Sequence, residues 1–329
     1  MEPLEPLEPL DRVAPAELET ARATLGRVAE NVARAVEVRG DVLEHLLIAL
    51  AAEGHVLVED YPGVGKTALA RALARSIEGQ FARVQCTADL LPSDIVGASV
   101  YNQREQRFEF RPGPIFSNIV VVDEVNRASP KTQSGLLECM QERHVTVDVH
   151  THELARPFLV LATQNPIEYE GTYPLPEAQV DRFMVRVSLG YPEAGAEAAM
   201  LAGHEAGDRV LELEPVAGPT EVVSLQDTVA RVRAADALRE YVVALLGHTR
   251  TDPRIELGAS PRAGLMLLRA AKARALLEGR DHALPDDVQA LAQPVLAHRL
   301  LLAPETVGTP ADEVRRHAIA DAIARTPAL

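Results

Sequence analysis

The sequence has no tryptophan, and aromatic residues make up only 4% of it. Few side chains are therefore available as stacking platforms for nucleic-acid bases. Basic residues are in the minority too. There are 33 Lys and Arg against 48 Asp and Glu, a formal net charge of -15. DNA affinity rests largely on clustered cations meeting phosphates, so no broad nucleic-acid footprint is expected. A local basic patch or a pore is not excluded by this. Only two cysteines occur, Cys86 and Cys139, far apart and without metal or redox spacing. Two reduced thiols are expected, with one buried disulfide as the alternative. No apolar run reaches the roughly 18 residues of a membrane span, so no membrane insertion is expected. The N-terminus, MEPLEPLEPLD, is acidic and proline-rich rather than cationic and apolar, unlike a signal peptide. A cytoplasmic location follows as the expectation.

What is present has a clear order. At about 150 residues per domain, 329 residues suggest roughly two domains. EPLEPLEPL at residues 2–10 is a triplet repeat whose prolines favour an extended, polyproline-like segment. It reads as a flexible tail or as a docking peptide for a partner. A helical pattern follows from about Pro15 to Glu53, with Leu43, Leu46, Leu47 and Leu50 on one stripe. HVLVED at 55–60 is a short β-rich run. FARVQC, NIVVVDE, PFLVLATQNP and RFMVRVSL are four more, ending at Cys86, Glu124, Asn165 (Pro166 beyond it) and Leu189. They are apolar throughout rather than alternating, which suggests strands buried on both faces. Strand and helix in alternation predict an α/β fold with a parallel sheet and right-handed crossovers.

Two stretches break this rhythm. Residues 91–116 read as a helix carrying a hairpin-like insertion, and 142–154 as a second hairpin. His144, His150 and His152 lie in the latter. Metal binding is one reading; neutral hairpin residues is the other, and no cysteine joins them. After about Tyr191 the texture becomes helical, with caps at SPRA (260–263) and LPDD (284–287). The expected division is a tail at 1–14, a core at 15–190, a linker at 191–222 and a helical domain at 223–329.

The chemistry gathers around EDYPGVGKT, residues 59–67. Gly63 and Gly65 let backbone N–H groups turn toward an anion. Lys66 brings a point charge, Thr67 a hydroxyl for Mg²⁺, and the following helix its positive end. Tyr61, Pro62, Val64 and Ala68 complete the candidate nucleotide contacts. The full phosphate-loop pattern asks for glycine where Asp60 stands. Asp123 and Glu124 end an apolar strand, where buried acids are costly without a cation or a catalytic task. Asp123 suits a Mg²⁺ ligand; Glu124 suits a base that orients water. Asn165 could place that water or touch the γ-phosphate, or simply form a turn before Pro166. Arg182 and Arg262 could neutralise transition-state charge; single arginines are more often surface or salt-bridge residues.

With these motifs the chain resembles the MoxR family of AAA+ ATPases. The stretches LVEDYPGVGKTALA, TADLLPSDIVG, FRPGPIF, DEVNRASPKTQSGLLECMQE, ATQNPIEYEGTYPLPEAQVDRF and GASPRAGL carry the resemblance, from residue 57 to 265. It implies a P-loop core with sheet order 5-1-4-3-2, followed by a smaller all-helical lid. It implies ATP and Mg²⁺ as ligands, with Gly63, Gly65, Lys66 and Thr67 as Walker A. Asp123 and Glu124 become Walker B and Asn165 sensor 1. Arg182 becomes an arginine finger given to a neighbouring subunit, and Arg262 a sensor 2 reaching the nucleotide from the lid. Arg127 is a candidate for a subunit boundary. An acidic residue at Asp60 is usual in the family; local hydrogen bonding or simple tolerance would account for it. The implied partners are further copies of the chain in a hexameric ring, and a client protein complex, through a von Willebrand factor A domain protein. The implied output is remodelling or activation of that client, including metal-cofactor insertion. A nucleic-acid motor and a weakly hydrolysing scaffold are the competing functions.

Overall fold

The computed structural model describes residues 12–60, 63–165, 171–191, 195, 208–306 and 309–327. Two helices, Pro15–Ala35 and Gly40–Ala51, precede the sheet. Leu43, Leu46, Leu47 and Leu50, one stripe in sequence, are all buried.

Five strands build the central sheet: β1 (Val56–Glu59), β2 (Phe81–Gln85), β5 (Ile119–Asp123), β8 (Leu159–Gln164) and β9 (Val185–Val187). Their order is β2-β5-β8-β1-β9, and every pairing is parallel. Counted along the core alone, this is the expected 5-1-4-3-2 read from the other edge. The apolar runs find their reason in β5. Ile119 and Val121 pack into the hydrophobic cluster on one face, and Val120 and Val122 into the cluster on the other. A strand covered twice has no wet side, so its sequence does not alternate.

One face is covered by the two N-terminal helices, the helix Lys66–Ser76 and part of the C-terminal helical region. The other is covered by the helix Pro130–Glu142, the short helix Pro92–Val96 and the turn Pro114–Phe116. The irregular stretches are hairpins. After Pro92–Val96, β3 (Gly97–Asn102) pairs antiparallel with β4 (Arg107–Pro112). β6 (His144–Val147) pairs antiparallel with β7 (His150–Glu153). His152 stacks on Phe110, ring centroids 3.9 Å apart, so one hairpin leans on the other.

Helices Pro219–Arg231, Asp236–Thr251, Pro261–Leu277, Pro285–Leu296 and Ala311–Arg325 form the C-terminal part, with a short antiparallel ribbon of β10 (Ile255–Leu257) and β11 (Leu301–Leu302). Ser260 caps its helix by accepting the N–H of Ala263. Between Asp208 and Pro219 the chain is packed down: Val210, Leu213 and Ala217 are buried, and the N–H groups of Val216 and Ala217 donate to the Ser76 carbonyl.

Cys86 and Cys139 are buried free thiols. Burial pushes them up to about 12 and about 11, so neither is a ready thiolate. No helix among the described residues is long and apolar enough to cross a membrane.

Candidate nucleotide site

The loop after β1 turns sharply. Gly63 and Gly65 have φ of +85° and +91°, conformations that side chains resist. The helix then starts at Lys66, with Gly65 as its N-cap and no side-chain cap bond. Its first N–H groups are thus left to an anion. Tyr61 and Pro62, two of the expected contacts, lie outside the described residues, as does Pro166.

A pocket of ≈ 270 Å³ forms where the loop meets the C-terminal ends of β5 and β8. Gly63, Val64, Gly65, Lys66, Thr67 and Ala68 line one side, and Asp123, Glu124 and Asn165 the other. Nine expected contact residues, spread over a hundred positions, therefore share one cleft. It sits at the carboxyl edge of a parallel sheet, where ligands characteristically bind.

The acids are held, not loose. Asp123 is buried; its carboxylate accepts the Arg83 Nε at 2.6 Å and the Thr163 hydroxyl at 3.2 Å. Glu124 has left-handed backbone, φ 55°. Its N–H donates to the Thr163 hydroxyl at 2.9 Å, and its carboxylate accepts Gln85 Nε2 at 3.0 Å and Arg127 Nη1 at 3.1 Å. Arg127 thus touches Glu124 of its own chain. The Lys66 ammonium donates to the Asp60 carbonyl at 3.0 Å. Burial pushes Lys66 below the ordinary lysine range, opposed by the charges of Asp60, Asp123 and Glu124.

Arg83, Gln85 and Thr163 were not legible as site residues. Their signal is a polar side chain inside an otherwise apolar strand, which any edge strand can also show.

Asp60 is buried, and its side chain reaches beyond the loop. It accepts the Gly190 N–H at 2.8 Å and the Ser188 hydroxyl at 3.5 Å, just past β9. This contact spans 130 residues of chain.

Arg182 and Arg262 do not line the pocket. Arg262 donates to Gln141 at 3.2 Å, in the last turn of Pro130–Glu142. That turn lies at the opposite edge of the sheet, since His55, just before β1, bonds the Met140 carbonyl. Arg182 lies at that edge too, because Met184 donates its N–H to the His55 carbonyl. At about 3.3 Å per residue, four to six strand residues put both arginines roughly 15 Å from the phosphate side. Burial, then the charge of Arg262, lowers the pKa of the Arg182 guanidinium, and its Nε is buried with no hydrogen-bond partner among the described residues. Asp181 binds this corner to the lid, accepting Ser260 Oγ at 2.9 Å and Arg299 Nε at 2.7 Å.

A parallel sheet, a glycine turn into a helix, paired acids at the end of β5 and a helical C-terminal lid define an AAA+ ATPase. Residues 55–185 match the family described as the ATPase family associated with various cellular activities (AAA), and residues 247–317 match the AAA lid domain. Similar proteins include an uncharacterized protein, YeaC, of Bacillus subtilis, 51% identical, the alignment covering 87% of this chain and 90% of YeaC. Chaperone MoxR1 of Mycobacterium tuberculosis is 39% identical, with 93% and 82% covered. A crystal structure of a candidate ATPase from Cytophaga hutchinsonii superposes with a TM-score of 0.86 at 37% identity, covering 95% of this chain and 96% of that one. The chain belongs to the MoxR family of AAA+ ATPases.

Proposed function

We propose that the chain hydrolyses Mg²⁺-ATP at the pocket between Lys66 and Glu124, in a homo-oligomeric ring, and uses the cycle to remodel client protein complexes. The carrying observation is the split of the candidate residues over two edges of one sheet. Lys66, Thr67, Asp123, Glu124 and Asn165 share a cleft; Arg182 and Arg262 stand at the far edge. Phosphoryl transfer needs cations on the transition-state charge. These two arginines reach no phosphate of their own chain, so they would serve a neighbour's.

The donor set suits Mg²⁺. Thr67 and Asp123 offer hard oxygens in one pocket, and Mg²⁺ usually takes one or two carboxylates plus phosphate oxygens. Bound there, the ion would neutralise charge on the β- and γ-phosphates. In the proposed cycle, Lys66 leaves the Asp60 carbonyl for the phosphates. Glu124 takes the proton of the attacking water, and Asn165 orients that water. Gln85 and Arg127 hold the Glu124 carboxylate and so set when it is available.

The lid turns this into motion. Asp181 joins the Arg182 segment to Ser260 and Arg299, so a neighbour's nucleotide would act on lid and core together. A chaperone role, as named for MoxR1, agrees with such an output. A hexamer, a von Willebrand factor A domain partner and metal-cofactor insertion are the family's expectations for its setting.

The test is Glu124→Gln. ATP binding should persist while turnover falls about a hundredfold or more. Equal turnover in variant and wild type would remove Glu124 from this role. Capturing ATP-bound Glu124→Gln from cell extract should retain the client.

A further inference from the structure

The chain has only three lysines: Lys66, Lys131 and Lys272. Lys272 is half-buried in the lid, beside a pocket of ≈ 560 Å³ that is separate from the phosphate site. Leu238, Tyr241 and Leu284 supply apolar wall; Arg233, Arg239 and Lys272 supply charge. No Asp or Glu lines this pocket among the described residues, in a chain of net charge -15. Arg233 and Arg239 pair outside it, with Asp281 and Asp236. Lys272 donates to the Ala230 carbonyl at 2.9 Å and meets no carboxylate among the described residues. Burial, then Arg239 and Arg269, push its amine below the usual lysine range. An incoming carboxylate would be favoured by all three cations.

The chain itself delivers such groups to the rim. Glu17 Oε2 accepts the Ala14 N–H at 3.1 Å and pairs with Arg231 Nη2, also at 3.1 Å. Arg231 lines the same pocket. One oxygen therefore places the backbone at Ala14 two hydrogen-bond lengths from the rim. Upstream runs MEPLEPLEPLD, outside the described residues. Leu4, Leu7 and Leu10 recur every third position, as do Glu2, Glu5 and Glu8. Polyproline II has three residues per turn, so this period makes one leucine column and one glutamate column. Nine residues in that form span about 28 Å, enough to cross the pocket.

We propose that residues 2–10 dock in the Lys272 pocket of their own chain, leucines on Leu238, Tyr241 and Leu284, glutamates facing Arg233, Arg239 and Lys272. The lid pocket is then a self-binding site for an acidic, leucine-bearing peptide. The tether keeps the segment at millimolar effective concentration, so modest contacts suffice.

Zero-length carbodiimide coupling of the full chain, read by peptide mass spectrometry, tests this. Glu5 or Glu8 should link to Lys272 about tenfold more than to Lys131. Replacing Leu4, Leu7 and Leu10 by Ser keeps every glutamate and should cut the link about fivefold. In mixtures with ¹⁵N-labelled chain, the linked peptides should carry one label. Equal linking to Lys131, or links that survive the leucine changes, would overturn the proposal. Mixed-label links would assign the pocket to a neighbour's tail and overturn it equally. Hydrogen exchange covers the case of a slow amine: deleting residues 2–10 should speed exchange at 232–241 and leave 63–68 unchanged. Unchanged exchange at 232–241 would refute docking.

Discussion

The Asp60 carboxylate accepts the Gly190 N–H at 2.8 Å, while the Asp60 carbonyl accepts the Lys66 ammonium at 3.0 Å. One residue thus joins the phosphate lysine to the chain leaving β9. Asp60→Gly would restore the general phosphate-loop pattern yet lose this tie. ATP affinity should stay within about threefold of wild type, because the loop's own contacts remain. Stability should fall by about 1–2 kcal/mol through the abandoned Gly190 N–H. Asp60→Asn keeps an acceptor and should lose less. Urea midpoints and ATP titration check both, and an unchanged midpoint in Asp60→Gly would mean Asp60 is merely tolerated.

Arg182 and Arg262 share one edge, which makes a mixing experiment decisive. Arg182→Ala should cut turnover about a thousandfold. Mixed with Glu124→Gln, it should recover activity, because some interfaces join an intact finger to an intact site. Mixed with Arg262→Ala it should not, because every subunit then presents only one of the two cations. Recovery in that second mixture would return Arg262 to its own chain's nucleotide.

His55 is buried at the foot of the sheet. Its Nδ1 accepts the Val160 N–H at 3.1 Å, so Nε2 carries the proton given to the Met140 carbonyl at 3.0 Å. Burial lowers its pKa to about 4. The unfolded chain protonates it near pH 6.5. Between those values the unfolded state binds more protons, so acid favours unfolding. The stability is full above about pH 6.5 and drains as pH falls toward 4, by roughly 3 kcal/mol. His55→Gln should lose less on going from pH 7 to pH 5, as read by urea midpoints.

Glu53 holds three arginines: Arg143 at 2.6 Å, Arg156 at 2.8 Å and Arg269 at 3.2 Å. Arg143 and Arg156 flank the β6–β7 hairpin; Arg269 belongs to the lid. Glu53→Ala leaves three like charges together and should cost about 2 kcal/mol, less than a fully buried pair because the site is partly wet. Thermal unfolding gives the size of the loss. Raised salt should narrow the gap to wild type.

Much of this was legible in local pattern. NIVVVDE declares its strand because both faces are covered, and PGVGKT declares its turn because few residues accept φ near +90°. Ser260 and Pro261 mark their helix because capping acts within one turn. Arg83, Gln85 and Thr163 were hidden because their partners, Asp123 and Glu124, lie about 40 residues away. The segment 208–218 reads as linker by composition, yet Val210, Leu213 and Ala217 are buried.

The sequence by itself determined the α/β core, its strands, and the side chains that can meet a phosphate, because those signals act over a few neighbouring residues. Only the tertiary structure decided that Asp60 reaches Gly190, and that Arg182 and Arg262 stand at the edge away from Lys66. Both outcomes depend on which strand lies beside which and on where the lid closes on the sheet. Those are consequences of packing across more than a hundred residues, and no local spacing encodes them.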